Sequence, residues 1–132
     1  MDEEELNNKI VLIDGDPEMQ DDLGFALRLR GFQPIMMRRG EGAFDLVKDE
    51  KPHMVIMDVV LPDTDGVALL REIGTHWDTK KAKMIVASSY PSRIDHTIEG
   101  LITAIFRKPL DNWEFVRMVE VITLEMLTKA ES

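Results

Sequence analysis

The sequence contains no cysteine, which excludes a disulfide framework and a thiolate metal site and fits a reducing compartment. No apolar run approaches the roughly 18 residues that a helix needs to cross a membrane. The chain starts with the acidic segment Met1–Glu5, whereas a signal peptide starts with basic residues. We therefore expect a cytoplasmic protein without a membrane segment.

Basic residues are scarce relative to acidic ones. The 132 residues include 16 Lys and Arg against 25 Asp and Glu, which gives a net charge of -9. This charge disfavours direct nucleic-acid binding, because phosphate contacts need a basic surface, and it leaves proteins or a cation as partners. An apolar content of 44% suits one domain. We place that domain at residues 9–130, after a flexible acidic N-terminus at residues 1–8.

Short apolar runs alternate with helical patterns along the chain, which predicts βαβ units and a parallel sheet. Pro34 cannot donate to a sheet ladder, so strand two is an edge strand. This position agrees with a flavodoxin-like, doubly wound α/β fold with strand order 2-1-3-4-5 and helices on both faces. The predicted strands are Ile10–Ile13, Phe32–Met37, His53–Asp58, Lys83–Ser88 and Thr103–Arg107. The predicted helices are Pro17–Arg30, Glu41–Glu50, Val67–His76 and Asp111–Thr128.

Polar side chains follow the carboxyl ends of four predicted strands. They are Asp14 and Asp16, Asp58, Ser88 and Ser89, and Lys108. In an open α/β sheet these ends lie at one edge, where ligands bind. Two carboxylates about 5 Å apart repel by roughly 3 kcal/mol at an effective dielectric near 20, so the cluster needs a cation. Lys108 and Mg²⁺ supply that charge, and the set then suits phosphoryl transfer onto a carboxylate.

Several of these polar residues also have simpler interpretations. An Asp before a turn is commonly a cap or a turn former, and we expect that role for Asp63 and Asp65. Asp16 suits both helix capping and metal binding, because the two roles are compatible. We assign the three histidines, which show no ligand spacing, to surface or turn positions, and the methionines to core packing. These histidines are His53, His76 and His96.

The last predicted helix is apolar almost all the way round. Such a helix is normally buried on all sides, which suggests a dimer or partner surface. An equally good explanation is a terminal helix exposed by trimming of a longer chain. The expected core stripe comprises Phe115, Val116, Val119, Ile122, Met126 and Leu127. The apolar residues on other sides are Trp113, Val121 and Leu124.

In these strand-end residues the chain resembles the receiver domains of two-component response regulators. The residues that carry the resemblance are Asp14–Glu18, the run Met57–Gly66, Ser88, and Arg107–Leu110. Any one of these would be weak alone, but together they occur in order, at family-like spacing, after apolar strands. The resemblance covers nearly the whole chain.

The resemblance implies that Asp58 accepts a phosphoryl group from a histidine kinase or a phosphotransfer protein. Ser88 and Lys108 would contact the phosphoryl oxygens. The family reads its state out through helix four, strand five and helix five, so a downstream protein or output domain, or a second copy, would bind there. The expected Mg²⁺ ligands are Asp14, Asp16, Asp58 and the carbonyl of Val60.

The chain departs from the family pattern at three places. Gly15 stands where the family has a second acid that binds the metal directly, which weakens Mg²⁺ binding unless Asp16 replaces it. Ile105 stands where the family has a Tyr or Phe that moves inward on activation. The interval from Ser88 to Lys108 is about two residues short and contains Pro91, so we expect a short or displaced helix four.

Three functional classes follow from these observations. The first is a phosphorylatable receiver whose only chemistry is phosphorylation and dephosphorylation of Asp58, and which is therefore not an enzyme in the usual sense. The second, which Gly15 and Ile105 favour, is a pseudo-receiver that binds proteins without phosphorylation. The third, a flavodoxin-like enzyme or nucleotide binder, lacks support, since no glycine-rich phosphate loop follows strand one.

Overall fold

The computed structural model describes residues 7–131, so most of the predicted flexible N-terminus lies outside the described residues. Within these residues five strands and five helices alternate, with one 3₁₀ turn at Pro91–Arg93. The strands are β1 Lys9–Ile13, β2 Gln33–Met37, β3 Met54–Met57, β4 Lys83–Ser88 and β5 Ala104–Arg107. The helices are α1 Pro17–Leu29, α2 Ala43–Glu50, α3 Gly66–Thr75, α4 His96–Glu99 and α5 Asn112–Glu131.

The strands form one parallel sheet in the order β2-β1-β3-β4-β5, which confirms the predicted fold class. β3 lies between β1 and β4 and is buried on both faces, as expected for a central strand of a doubly wound sheet. The edge position of β2, predicted from Pro34, is also confirmed. Within residues 7–131, no helix is long and apolar enough to cross a membrane.

Two apolar layers fix the helices to the sheet. On one face α1 and α5 cover alternate sheet residues, among them Leu12 and Ile56. On the other face α2, α3 and α4 cover the intervening ones, among them Ile13 and Met57. Because both layers close around the short, buried β3, the residue that follows it is held in a fixed place at the sheet edge.

Helix α1 begins and ends as the sequence indicates. The Asp16 carboxylate caps it by accepting hydrogen bonds from the N–H groups of Glu18 and Met19, and Pro17 occupies the first turn. Gly31 follows the helix with a φ of 87°, a conformation that favours glycine. Asp65 caps α3 in the same way as Asp16 caps α1, as predicted.

The segment between β4 and β5 is reduced, as the short Ser88 to Lys108 interval predicts. Its helix α4 has only four residues, His96–Glu99. Asp95 caps this helix through the N–H of Thr97, and Ile98 is its one fully buried side chain. The shortened connection thus leaves about one helical turn beside the edge strand β5.

Helix α5 buries the predicted stripe except at one position. Leu127, expected to widen the core face, is exposed, because it lies on the outer side of the helix and not on the side that meets the sheet. Trp113, Val121 and Leu124 are exposed as well. The guanidinium of Arg30 in the turn after α1 lies 5.9 Å from the Trp113 ring centroid. The outer surface of α5 therefore carries several exposed apolar side chains among charged ones.

His53 was predicted at a surface or turn position; it lies at a bend before β3, but the surface alternative is wrong. Its side chain is buried, and Nδ1 lies 2.9 Å from the Lys9 carbonyl while Nε2 lies 2.9 Å from Thr123 Oγ1 on α5. Because the carbonyl can only accept, Nδ1 carries the proton and Nε2 accepts from the hydroxyl. A histidine directly before an apolar strand gives no sign of such a partner on a distant helix.

The buried His53 makes stability depend on pH near neutrality. Burial lowers the pKa of His53 below its usual value, although the bond to Lys9 acts the other way. The unfolded chain therefore binds a proton that the folded chain does not, and stability falls as pH drops below about 6.5. We expect the free energy of unfolding to decrease by up to about 1.4 kcal/mol between pH 7.5 and 5.5, measured by urea denaturation.

The matched control for this pH dependence is His96→Gln, because His96 is exposed. We expect His53→Gln to remove most of the pH dependence and His96→Gln to leave it intact. Equal pH dependence in the wild type and the His53→Gln variant would show that His53 is not the titrating group.

Candidate active site

Lys108 joins two buried carboxylates at the carboxyl edge of the sheet. Its Nζ lies 2.6 Å from Asp14 Oδ2 and 3.0 Å from Asp58 Oδ2. Asp14 is 2% exposed and Asp58 is 7% exposed. β1, β3 and β5 each supply one member of this triad, because the three strands end at the same edge. The structure thus brings together three of the residues that the sequence analysis selected.

Asp58 is held by the backbone as well as by Lys108. Its N–H donates to the Ile13 carbonyl at 3.0 Å, which continues the pairing of β3 with β1. Its Oδ1 accepts from the N–H of Val60 at 2.9 Å, while Oδ2 accepts from Lys108. The carboxylate is therefore oriented by two donors directly after the end of β3.

Ser88 lies at the end of β4, next to the strand that carries Lys108. Its side chain is fully buried, and Oγ accepts from the N–H of Tyr90 at 3.0 Å. The N–H of Lys108 donates to the Ser88 carbonyl at 3.0 Å, which fixes the two strand ends side by side. Since Oγ accepts from Tyr90, the hydroxyl proton of Ser88 remains free to be donated to a ligand.

Burial and charge pairing act in opposite directions on Asp14 and on Lys108. Burial raises the pKa of Asp14, although Lys108 and the N–H of Asp16 act in the opposite direction. Burial alone would lower the pKa of Lys108, but the hydrogen bonds and charges of Asp14 and Asp58 outweigh it and raise the pKa. Lys108 is therefore a permanent cation, and one ammonium does not fully compensate two buried carboxylates.

The residues of this edge fit a magnesium ion. Asp14 Oδ2 is buried, and apart from Lys108 no described side chain or backbone group is available to hydrogen-bond it. Mg²⁺ uses one or two carboxylates together with water and phosphate oxygens, which matches Asp14 and Asp58. The protein carboxylates available here are a pair, since across residues 7–131 no group of three or more acidic or histidine side chains is placed to hold a metal.

Asp16 does not join the carboxylate pair, because its side chain caps α1. Its N–H donates to Asp14 Oδ1 at 2.9 Å, so it supports the site through the backbone. Gly15 is exposed, and a Cβ there would lie 3.3 Å from Cδ of Pro62. The metal roles of Asp14, Asp16, Asp58 and the Val60 carbonyl all remain predictions.

Asp63 makes a contact that the sequence analysis did not find. Its carboxylate accepts from the N–H of Gly40 at 2.8 Å and from the N–H of Glu41 at 2.9 Å. These bonds hold the pKa of Asp63 below its usual value. The loop after Asp58 is thereby tied to the turn that precedes α2. The turn-forming tendency of Pro-Asp-Thr-Asp-Gly pointed to a local role, and only the fold brings the partners close.

Ile105 is 42% exposed on β5 and does not fill the position of an inward aromatic ring. The neighbouring Phe106 points to the other face of the sheet, where its ring meets that of Phe115 with centroids 4.7 Å apart. Phe106 thus belongs to the core and cannot take over the place of Ile105.

The sheet order and this strand-edge triad define a receiver domain. A family model for the response regulator receiver domain matches residues 10–120. The chain therefore belongs to the response regulator receiver domain family. The match runs from β1 into the first half of α5 and includes Asp14, Asp58, Ser88 and Lys108.

Solved structures of receiver domains share this fold. A response regulator receiver domain from Methanospirillum hungatei has a TM-score of 0.79 at 16% identity, over 92% of this chain and 98% of that one. The response regulator TrrA from Thermotoga maritima, in complex with Mg²⁺ and BeF, has a TM-score of 0.75 at 21% identity, over 86% and 97%.

The receiver domain of a sensor histidine kinase from Pseudomonas aeruginosa, with magnesium coordinated in its active-site cleft, gives a TM-score of 0.77. Its identity is 20%, over 89% of this chain and 98% of that one. At these identities the likeness supports the fold alone.

Proposed function

We propose that this receiver domain is a phosphoacceptor and that Asp58 takes the phosphoryl group from a phosphohistidine of a histidine kinase or phosphotransfer protein. The observation that carries the proposal is the triad, in which Lys108 bridges Asp58 and the buried Asp14. A purely structural carboxylate would not need a second buried carboxylate and a lysine from two other strands beside it.

The transfer requires one bond to form and one to break. An oxygen of Asp58 bonds to phosphorus while the bond from phosphorus to the donor's imidazole nitrogen breaks, and the imidazole leaves. Hydrolysis by water returns the carboxylate and releases inorganic phosphate. The Lys108 ammonium and the Ser88 hydroxyl stabilise the negative charge on the phosphoryl oxygens. Val60 keeps Asp58 oriented through its N–H.

Magnesium belongs to this proposal because the donor set of the site fits it. Asp14, Asp58 and the carbonyl of Val60 would hold the ion, with Asp16 acting through its backbone N–H. When bound, Mg²⁺ supplies positive charge next to the phosphoryl oxygens. The magnesium that two structurally similar receivers contain supports this assignment.

The partners remain part of the proposal. We infer a cytoplasmic histidine kinase or phosphotransfer protein as donor, and a downstream protein or output domain as the reader. The exposed Ile105, Met118 and Val121 on β5 and α5 support the expected contact face of α4, β5 and α5, including a homodimer through it.

A pseudo-receiver is the second candidate function. Gly15 supplies no acid beside Asp14, and Ile105 supplies no aromatic ring that could move inward. In that case the fold serves as a protein-binding module, and Asp58 stays unmodified.

Phosphorylation by a small-molecule donor separates the two functions. We expect wild-type protein incubated with acetyl phosphate and Mg²⁺ to gain the mass of one phosphoryl group in intact-protein mass spectrometry. The Asp58→Asn variant removes the nucleophile and should gain none, whereas Asp22→Asn, at an exposed position on α1, should behave like the wild type.

A wild-type protein that is folded but gains no mass would contradict the phosphoacceptor function. A second measurement uses NMR. Adding beryllofluoride with Mg²⁺ to the wild-type protein should shift the amide signals of Asp58 and Ser88. Unchanged signals together with unchanged mass would exclude phosphorylation of Asp58 and favour the pseudo-receiver.

A further inference from the structure

A groove lies between α2 and α3, and no residue of the triad lines it. Its volume is about 520 Å³, within the range of about 300–1,000 Å³ that is usual for binding pockets. Phe44 and Leu69 are its largest apolar lining residues (the apolar floor), and Thr64 of the loop after Asp58 also lines it. The groove contains no Lys or Arg. The carboxylates that line it are Glu41, Asp45, Asp63, Asp65 and Glu72.

Two of these carboxylates are already engaged, and three are not. Asp63 accepts from the turn before α2, and Asp65 caps α3. The side chains of Glu41, Asp45 and Glu72 form no hydrogen bond or ion pair with any group in residues 7–131. Unpaired like charges around an apolar floor repel one another, so a cationic occupant would be attracted.

The spacing of the carboxylates favours an extended cation over a metal ion. No three acidic or histidine side chains of the described part of the chain are close enough to share one metal. Carboxylates spread along both walls instead match several positive charges spread along a peptide. The apolar floor at Phe44 and Leu69 adds a place for a hydrophobic side chain between those charges.

We propose that the α2–α3 groove binds a basic, amphipathic segment of a partner protein. Arginine or lysine side chains of that segment pair with Glu41, Asp45 and Glu72, and an apolar side chain contacts Phe44 and Leu69. The surface is distinct from Asp58 and from the α4, β5 and α5 face. Binding there does not require phosphorylation.

Peptide titration tests the groove. The probe is a short amidated peptide with arginine and leucine in helical spacing, and its control carries glutamate in place of arginine. We expect the arginine peptide to shift the amide NMR signals of Gly40–Asp45 and Thr64–Glu72. Charge reversal at Asp45→Lys and Glu72→Lys should weaken binding by about tenfold. Ala68→Trp should weaken it too, because it fills the groove without changing charge.

The matched control is Asp21→Lys with Asp22→Lys on α1, which changes the net charge by the same amount. We expect less than about a threefold loss of affinity from it, since it alters only the long-range attraction. Equal losses in the two double variants, or shifts spread over the whole acidic surface, would overturn the proposal. So would saturation of the same signals by Mg²⁺ alone. Asp58→Asn should bind the peptide normally, so failure of phosphorylation does not affect this test.

Discussion

Gly66→Ala should destabilise the domain by about 3 kcal/mol or more. A Cβ at Gly66 would lie 2.1 Å from the carbonyl oxygen of Val59, which is backbone and cannot rotate away. Val60 pairs with Asp65 across the same loop, so the first turn of α3 is held against the end of β3. The alanine would force α3 away from the sheet. We expect the melting temperature to fall by roughly 10 °C, measured by differential scanning calorimetry.

Gly100→Ala is the matched control for this prediction. A Cβ at Gly100 meets nothing within 4 Å, and its φ of -64° is one that alanine adopts readily. Its stability should stay within about 0.5 kcal/mol of the wild type. If Gly66→Ala were equally neutral, the close approach of α3 to Val59 would not exist in solution.

Gly15→Asp should tighten Mg²⁺ binding by about 10- to 100-fold. The substitution places a third carboxylate beside Asp14 and Asp58 at the sheet edge. A Cβ there lies 3.3 Å from Cδ of Pro62, so the proline must yield by a few tenths of an ångström. Without the metal the added charge repels Asp14, and the free energy of unfolding should decrease. Isothermal titration calorimetry with MgCl₂ measures the Mg²⁺ affinity. Thermal denaturation with and without Mg²⁺ measures how far metal binding offsets the loss of stability.

Gly15→Asn separates charge from bulk in this experiment. The asparagine side chain has nearly the same shape as aspartate and contacts Pro62 in the same way, but it adds no negative charge. We expect little gain in Mg²⁺ affinity from it. Equal affinities for the Asp and Asn variants would show that the ligand set is complete without position 15, or that this edge does not bind the metal.

The sequence predicts most of the fold because each element carries its own local signal. Pro17 and Asp16 mark the start of α1, Pro34 marks an edge strand, and the apolar run before Asp58 marks a central strand. These signals depend on neighbours in sequence. The site could be predicted from the same local signals, because the ends of the predicted parallel strands lie at one edge of the sheet.

Contacts between residues distant in sequence explain what the sequence did not predict. His53 binds Thr123, and Asp63 binds the turn at Gly40, but neither residue carries a local sign of its partner. The exposure of Leu127 depends on how α5 is rotated against the sheet, which a helical pattern fixes only approximately. The side chain of Asp16 had two compatible roles, of which the structure shows the capping role.

The four-residue helix α4 has a consequence for how a partner would be recognised. A single helical turn gains little cooperativity of its own, so its backbone bonds open at a small free energy relative to the long helices. Its main anchor in the core is Ile98. A protein that binds beside β5 must therefore order this segment and lose its conformational entropy. The affinity of that partner depends on whether its contacts with α4 and β5 outweigh the conformational entropy that α4 loses on binding.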